Sequence, residues 1–170
     1  MSYDKRTALP ENYNFIITDP SNGNKFPVTI EKEIGRGGSC IAYRSTRKLT
    51  INDEPLERNV IIKEFYPKEF ETSVSRKSKQ DPDFDISEDK QSDFNFRLDI
   101  FSKGLAKHVG FANEHSDYAL PAVALTGIAH NTFYGVYDLV NGTTLDRNGI
   151  RVFSHIRTLF QTIPRYLCSC

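Results

Sequence analysis

Apolar and polar residues alternate along the first half of the chain in the way that is typical of β-strands. In residues 28–34, valine and isoleucine side chains are separated by threonine, glutamate and lysine. Because successive side chains of a strand point to opposite faces, this pattern predicts a strand with one buried face. Residues 40–45 predict a second strand and residues 59–65 a third, which Pro67 ends.

Farther along the chain, the apolar residues are spaced three or four apart. The stripe consists of Phe94, Leu98, Phe101, Leu105 and Val109. This spacing places them on one face of a helix. Gly110 stands near the end of the stripe, as is common where a helix stops.

Two more strands are predicted after this helix, over residues 120–128 and 132–140, with His130 and Asn131 as the tight connection between them. A last apolar stripe predicts a second helix over residues 150–170. Antiparallel strands with one helix between them make an α+β fold.

Two segments are predicted to lie outside these elements. Residues 1–27 are polar and rich in turn formers, which predicts an extended lead-in with one turn, although Phe15–Ile17 can form a short strand. Residues 71–93 are almost free of apolar side chains and predict a solvated insertion with at most a helical turn.

Composition argues against several classes of protein. The 170 residues carry 22 basic and 22 acidic side chains, so the formal net charge is zero. This balance argues against nucleic-acid binding driven by a global positive field. No apolar run approaches the ~18 residues of a membrane helix. The N-terminus also lacks the apolar region of a secretory signal.

The cysteines are few. Cys40, Cys168 and Cys170 are odd in number, which is typical of a protein in a reducing, cytoplasmic compartment. Cys168 and Cys170 stand close enough in sequence to share a metal ion. No second pair of Cys or His residues with zinc spacing accompanies them, so no metal site is predicted.

A glycine-rich segment, residues 35–39, lies between the first two predicted strands. Glycine exposes backbone N–H groups to phosphate oxygens because it has no side chain, but glycines also occur in plain hairpin turns. A dinucleotide-binding loop would need a helix directly after the glycines, and a Walker loop would need Gly-Lys-Ser/Thr. Neither follows here, which leaves a glycine-rich hairpin that can cover a nucleotide.

Lys63 is the second candidate for chemistry. It ends the apolar run of residues 60–63. A buried ammonium needs a partner of opposite charge, because leaving it unpaired costs several kcal/mol. The alternative is a lysine on an edge strand that faces water.

Together these features resemble the N-terminal, ATP-binding lobe of a protein kinase. The family's glycine pattern, hydrophobic-G-x-G-x-x-G-x-V-Y, corresponds to residues 34–43, IGRGGSCIAY, and the V-A-I-K strand to residues 60–63, VIIK. Residues 63–67, KEFYP, resemble bacterial serine/threonine kinases of the eukaryotic type. The resemblance covers roughly residues 28–170.

The resemblance implies a fold and a domain organisation. The expected fold is a five-stranded antiparallel sheet with one long helix, followed by the first helix of a second lobe. Residues 1–27 would be an N-terminal extension, residues 28–142 the kinase-like lobe, and residues 143–170 the start of an incomplete second lobe.

The resemblance also implies roles for individual residues. Lys63 would contact the α- and β-phosphates of ATP. The residues that would cover the phosphates are Gly35, Gly37, Gly38 and Ser39. The residues that would line the adenine pocket are Ile34, Ala42 and Ile61. Tyr137 would be the gatekeeper, and the hinge would comprise Asp138, Leu139 and Val140.

The chain departs from the family pattern at several positions. Cys40 replaces the third glycine of the loop, and Ile61 replaces the small alanine before the lysine. The helix glutamate that pairs with the lysine is missing. Asp99 is the one acid between residues 94 and 113, and it is the candidate for that role.

The catalytic motifs of the family are absent from these 170 residues. Kinases position the substrate hydroxyl and Mg²⁺ with H-R-D-x-x-x-x-N and D-F-G, and neither occurs here. We therefore expect the ATP-binding portion of a protein serine/threonine kinase that does not transfer phosphate alone, with Mg²⁺ bound only in the intact kinase. The alternative is a stand-alone, pseudokinase-like regulatory module.

The expected partners follow from the resemblance. They are ATP and either a protein substrate or the missing second lobe, which would dock on the helix of residues 150–170. No nucleic-acid or membrane partner is expected.

Overall fold

The computed structural model describes residues 4–51, 54–114 and 123–139. These residues form eight strands, one α-helix and two short 3-10 turns. The strands and the helix are β1 (Asn14–Thr18), β2 (Lys25–Arg36), β3 (Cys40–Ile51), β4 (Glu54–Phe65), β5 (Val74–Arg76), β6 (Phe84–Ile86), α1 (Gln91–Glu114), β7 (Val123–Ala129) and β8 (Thr132–Asp138).

Six of the strands close into an antiparallel barrel in the order β1-β2-β3-β4-β8-β7. The expected five-stranded sheet is therefore wrong. The sixth strand is β1, which comes from the segment assigned to the N-terminal extension. It pairs with β2 along its whole length and meets β7 at Thr18 and Ile128, which closes the barrel.

β1 joins the barrel because one of its faces is apolar. Phe15 and Ile17 are buried, whereas Ile16 between them is 51% exposed. The closure also depends on Gly127 in β7. A Cβ atom at this position would lie 2.6 Å from the carbonyl oxygen of Thr18, so only glycine lets the two strands approach this closely.

The outer face of β4 and β8 packs against α1. The ring of Phe65 lies 5.0 Å from the ring of Phe101 and 5.4 Å from that of Phe94. A Cβ atom at Gly135 would lie 3.0 Å from the side chain of Leu105, so the absence of a side chain there lets the helix approach the sheet. Phe94, Phe101 and Leu105 of the predicted apolar stripe thus lie on the packing face of α1.

Residues 71–93 differ from the solvated insertion expected from their composition. They contain β5 and β6, which pair into a two-stranded antiparallel sheet. Val74 and Phe84 of this sheet are buried, and the Tyr66 hydroxyl donates to the Val74 carbonyl at 2.7 Å. Ile86 also packs against the core, and most of the other residues of the segment are polar.

The connection between β7 and β8 confirms the predicted hairpin. His130 and Asn131 both have positive φ, 50° and 58°, as the tightest hairpin turns require. The predicted helix over residues 150–170 lies outside the described residues. Within the described ranges, no helix is both long and apolar enough to cross a membrane.

Candidate functional site

Lys63 lies at the centre of the sheet, paired with Ala42 of β3 on one side and with Gly135 of β8 on the other. Its side chain is half-buried. The Nζ atom lies 4.6 Å from the centroid of the Tyr137 ring. At this distance the ring's negative face attracts the ammonium.

The predicted adenine-contacting residues lie around Lys63. Residues directly opposite each other in an antiparallel pair share one face of the sheet. Ala42 is opposite Lys63, and Ile61, two residues before Lys63, is opposite Tyr137. The structure therefore brings Ala42, Ile61, Lys63 and Tyr137 together on one face.

Ile34 lies at the edge of this group. The β2–β3 register shifts between Glu33 and Gly35, so Ile34 is the extra residue of an irregularity in the ladder. It is 48% exposed. Such irregularities turn a side chain away from its regular direction.

Neither close packing nor a positive φ requires the glycines of the glycine turn, residues 35–39. A Cβ atom at Gly35 or Gly38 would meet open space, and at Gly37 its nearest neighbour would be the Cys40 carbonyl oxygen at 3.8 Å. Of the glycines in the described ranges, only Gly23 has a positive φ. Packing and backbone strain therefore leave these glycines unexplained, and the bare backbone stays open to an external group.

The tip of the turn is tied to the chain that follows β4. The Lys68 N–H donates to the Gly38 carbonyl at 2.8 Å, and the Tyr66 N–H donates to the Ser39 carbonyl at 3.1 Å. The Gly37 N–H closes the turn on the Cys40 carbonyl at 2.8 Å. The turn is therefore held in place by hydrogen bonds to its carbonyl groups.

Cys40 lies next to this face, where the kinase pattern has glycine. Burial raises the pKa of its thiol, and the positive charges of Lys63 and Arg6 offset only part of this effect. Burial also raises the pKa of Tyr137 to about 12, with a contribution from Cys40. Both groups are therefore neutral near pH 7.

The structure does not bring Asp99 to Lys63. The Asp99 carboxylate accepts from Lys103 at 2.7 Å, one turn farther along α1, and is 52% exposed. Among the described residues, no carboxylate lies within ion-pair distance of the Lys63 ammonium. Among the described groups, the contact of the ammonium is therefore with the Tyr137 ring and not with a carboxylate.

The predicted hinge is described only in part. Asp138 ends β8 opposite Val60, and the Leu139 N–H donates to the Asn59 carbonyl at 3.4 Å. Val140 lies outside the described residues. Within the described part of the chain, no group of three His, Cys, Asp or Glu side chains is placed to hold a metal ion.

Glu64, which was not among the residues predicted from the sequence, is fully buried. Its carboxylate accepts from the hydroxyls of Tyr43 at 2.8 Å and Tyr134 at 2.6 Å. It also accepts from Arg76 Nη2 at 2.6 Å. The one available sequence signal was the alternation of side chains along the strand. It places Glu64 on the same face of the sheet as Ile62 and on the other face from Lys63.

His130 continues this buried cluster. Its Nδ1 atom lies 2.8 Å from the Tyr134 hydroxyl, and its Nε2 atom lies 3.2 Å from the Tyr13 hydroxyl. Burial lowers the pKa of His130, which favours the neutral ring. The Tyr134 hydroxyl donates its hydrogen bond to Glu64, so it can only accept from His130. We therefore place the His130 proton on Nδ1, and Nε2 accepts from the Tyr13 hydroxyl.

No protein-family profile and no curated protein matches this chain. A solved structure, PpkA-294 in its apo form, matches in fold with a TM-score of 0.54 and 24% identity. It is a fragment of a bacterial serine/threonine kinase. The match covers 86% of this chain and 43% of the other, so this chain spans less than half of its neighbour's length. Over the matched residues, this chain therefore shares the fold of that neighbour.

Proposed function

We propose that this chain is the ATP-binding portion of a protein serine/threonine kinase. The observation that carries the proposal is the position of Lys63, which lies beside the glycine turn and over Tyr137 without a carboxylate partner in the described residues. A half-buried ammonium without a counter-ion is costly, and a phosphate group supplies the missing charge.

The glycine turn supports the same proposal. In this proposal the phosphates lie under Gly35, Gly37, Gly38 and Ser39, where the bare backbone leaves space for them. The adenine ring lies against Ile34, Ala42 and Ile61, next to the gatekeeper Tyr137. Asp138 and Val140 belong to the hinge that holds its edge.

In the intact kinase the site would serve phosphoryl transfer from ATP to protein hydroxyl groups, with Mg²⁺ on the phosphates. The 170 residues contain neither of the motifs that position the hydroxyl and the metal. We therefore expect this chain to bind ATP without transferring phosphate.

A second candidate is a pseudokinase-like regulatory module that binds the nucleotide or a partner without chemistry. The ion pair between Asp99 and Lys103 favours it, because an active kinase requires a helix carboxylate on its lysine. In the kinase proposal, α1 has to move so that Asp99 leaves Lys103 and reaches Lys63.

Calorimetric titration of the 170-residue chain with ATP tests the proposal. Lys63→Met removes the charge and keeps most of the side-chain length, so we expect about tenfold weaker binding, equal to ~1.4 kcal/mol. Lys48→Met is the matched control, because Lys48 is 62% exposed on the same sheet. Equal ATP affinities of the wild type and Lys63→Met would overturn the proposed site.

Asp99→Asn separates the two candidates. If the helix carboxylate pairs with Lys63 in the nucleotide complex, this substitution weakens ATP binding. If the chain is a regulatory module with α1 as observed, the ATP affinity of Asp99→Asn equals that of the wild type.

A further inference from the structure

Residues 4–9, here called the strap, cross one end of the barrel beside the glycine turn. Three backbone groups of the strap bond to side chains from three different segments of the chain. The Lys5 N–H donates to Glu71 Oε2 at 3.0 Å, the Thr7 carbonyl accepts from Arg76 Nε at 2.8 Å, and the Leu9 N–H donates to the Tyr43 hydroxyl at 3.1 Å. The strap is thus part of the packed structure.

Arg6 is the residue of the strap that reaches the glycine turn. It is only 3% exposed. Its Nη2 atom donates to the Gly37 carbonyl at 2.8 Å, and its Nη1 atom donates to the Tyr66 carbonyl. The same guanidinium is paired with Asp4 at 2.6 Å. One buried side chain therefore joins the turn to the residue that follows β4.

These bonds determine which way the peptide groups of the turn face. In a trans peptide the C=O and the following N–H point in opposite directions, and the described chain has no cis peptide bond. The Gly37 carbonyl points to Arg6, so the Gly38 N–H points away from it. The Gly38 carbonyl points to the Lys68 N–H, so the Ser39 N–H points away from Lys68.

These two N–H groups are free within the described part of the chain. Neither the Gly38 N–H nor the Ser39 N–H has a hydrogen-bond acceptor there. Adjacent N–H groups on a turn form a concave site for anions. Without its anchor, a peptide between two glycines could rotate at little cost, because glycine tolerates most backbone conformations.

We propose that Arg6 is a positioning residue that orients the Gly37–Gly38 peptide so that the Gly38 N–H faces a nucleotide phosphate, beside the Ser39 N–H that the Lys68 bond orients. The inference rests on the proposed function for the identity of the ligand. The orientation of the turn itself is a property of the nucleotide-free protein. Hydrogen bonds from Arg6 hold the pKa of Asp4 well below its usual range, so the Asp4–Arg6 pair stays charged at neutral pH.

The first measurement is hydrogen exchange of the nucleotide-free, 170-residue chain. Arg6→Gln removes the charge and the guanidinium that bonds to the Gly37 and Tyr66 carbonyls. We therefore expect faster exchange at the amides of Tyr66 and Lys68, because their acceptors are carbonyls of the turn. Arg6→Lys keeps the charge but cannot span both carbonyls, so we expect an intermediate rate. Arg58→Gln, an exposed arginine of β4, is the control with the same charge change.

The second measurement compares the affinities for ATP and for adenosine. Because the proposed N–H groups bind phosphate, Arg6→Gln is expected to weaken ATP binding about tenfold, or ~1.4 kcal/mol. The adenosine affinity is expected to stay at the wild-type value. A general structural defect would lower both affinities.

The outcomes separate the two proposals. Wild-type exchange at Tyr66 and Lys68 in Arg6→Gln would overturn the role of Arg6, whatever the nucleotide results show. A wild-type chain that binds no ATP would overturn the proposed function, and the exchange data would still decide on Arg6. If Arg6→Gln does not fold, Arg6→Lys, which keeps the charge but cannot span both carbonyls, is judged by the same exchange criterion.

Discussion

Arg76 donates a hydrogen bond to Glu64 at 2.6 Å inside the protein, and the two side chains are 4% and 0% exposed. Glu64 belongs to the barrel, whereas Arg76 belongs to the small sheet of β5 and β6. The pair therefore fixes the small sheet to the barrel. The same Arg76 bonds to the Thr7 carbonyl, which fixes the strap as well.

Glu64→Gln tests this pair. The substitution leaves the Arg76 guanidinium buried without an opposite charge, and the Gln NH₂ group cannot accept from the tyrosine hydroxyls. Removing one partner of a buried pair costs about 3–5 kcal/mol. We expect a loss of this size in the free energy of unfolding, measured by urea denaturation.

Glu57→Gln provides the comparison. Glu57 is 65% exposed and lies 4.0 Å from Lys48, so its pair is solvent-screened. Exposed ion pairs contribute roughly 0–1 kcal/mol to stability, so we expect a correspondingly small change in the free energy of unfolding. Similar denaturation midpoints for the Glu64 and Glu57 variants would contradict the assigned role of the buried pair.

Barrel closure gives a second prediction. Gly127→Ala puts a methyl group 2.6 Å from the Thr18 carbonyl oxygen, which belongs to the backbone and cannot move aside alone. Overpacking of this kind costs typically 1–3 kcal/mol. We expect lower stability and faster hydrogen exchange in β1, measured residue by residue. Wild-type exchange of β1 in this variant would show that β1 and β7 do not meet as described.

Gly38→Ala is expected to leave the stability unchanged and to weaken ATP binding. The added methyl group meets open space, and Gly38 does not have a positive φ, so we expect a stability change within about 0.5 kcal/mol. If a phosphate approaches the bare backbone, the same methyl group blocks it, and calorimetry is expected to show severalfold weaker ATP binding. Unchanged ATP binding would indicate that the glycines form only a hairpin.

Tyr137 gives a prediction about alkaline pH. Its pKa is raised to about 12, mainly by burial, and an unfolded tyrosine titrates near pH 10. The folded state therefore holds its proton more tightly, so this contribution to stability is complete below pH 10 and is lost between pH 10 and 12. The slope is ~1.4 kcal/mol per pH unit for one proton.

Tyr137→Phe isolates this contribution from those of the other buried tyrosines. The pH dependence of unfolding is measured in urea at several values from pH 9 to pH 12. We expect the wild type to lose more stability over this range than the variant. Parallel curves for the two proteins would contradict the raised pKa of Tyr137.

Much of the barrel was predictable because its strands carry local patterns. Alternation over residues 28–34 and 59–65 lies within β2 and β4, and the stripe from Phe94 to Val109 lies within α1. The His130–Asn131 turn was predictable for the same reason. Each of these signals depends on neighbours within a few residues.

The candidate site was less predictable. The sequence pattern indicated Lys63 and the glycine turn, but it proposed Asp99 as the partner of Lys63, and the structure pairs Asp99 with Lys103. A sequence pattern does not specify the rotation of a helix against a sheet. The contact of Arg6 with the glycine turn carried no sequence signal, because Arg6 reaches the turn through the backbone carbonyls of Gly37 and Tyr66, far along the chain.

The sequence by itself determined the strands of the barrel, the helix α1 and the glycine-lysine motif, but not β5 and β6, because hydrophobic periodicity and glycine content act over short stretches. Only the tertiary structure decided that the sheet closes into a barrel, through Thr18 and Ile128. Only the tertiary structure also showed that Glu64 is buried against Arg76 and that Arg6 holds the glycine turn. The physical reason is that closure and charge burial depend on groups that meet only when distant segments are packed together.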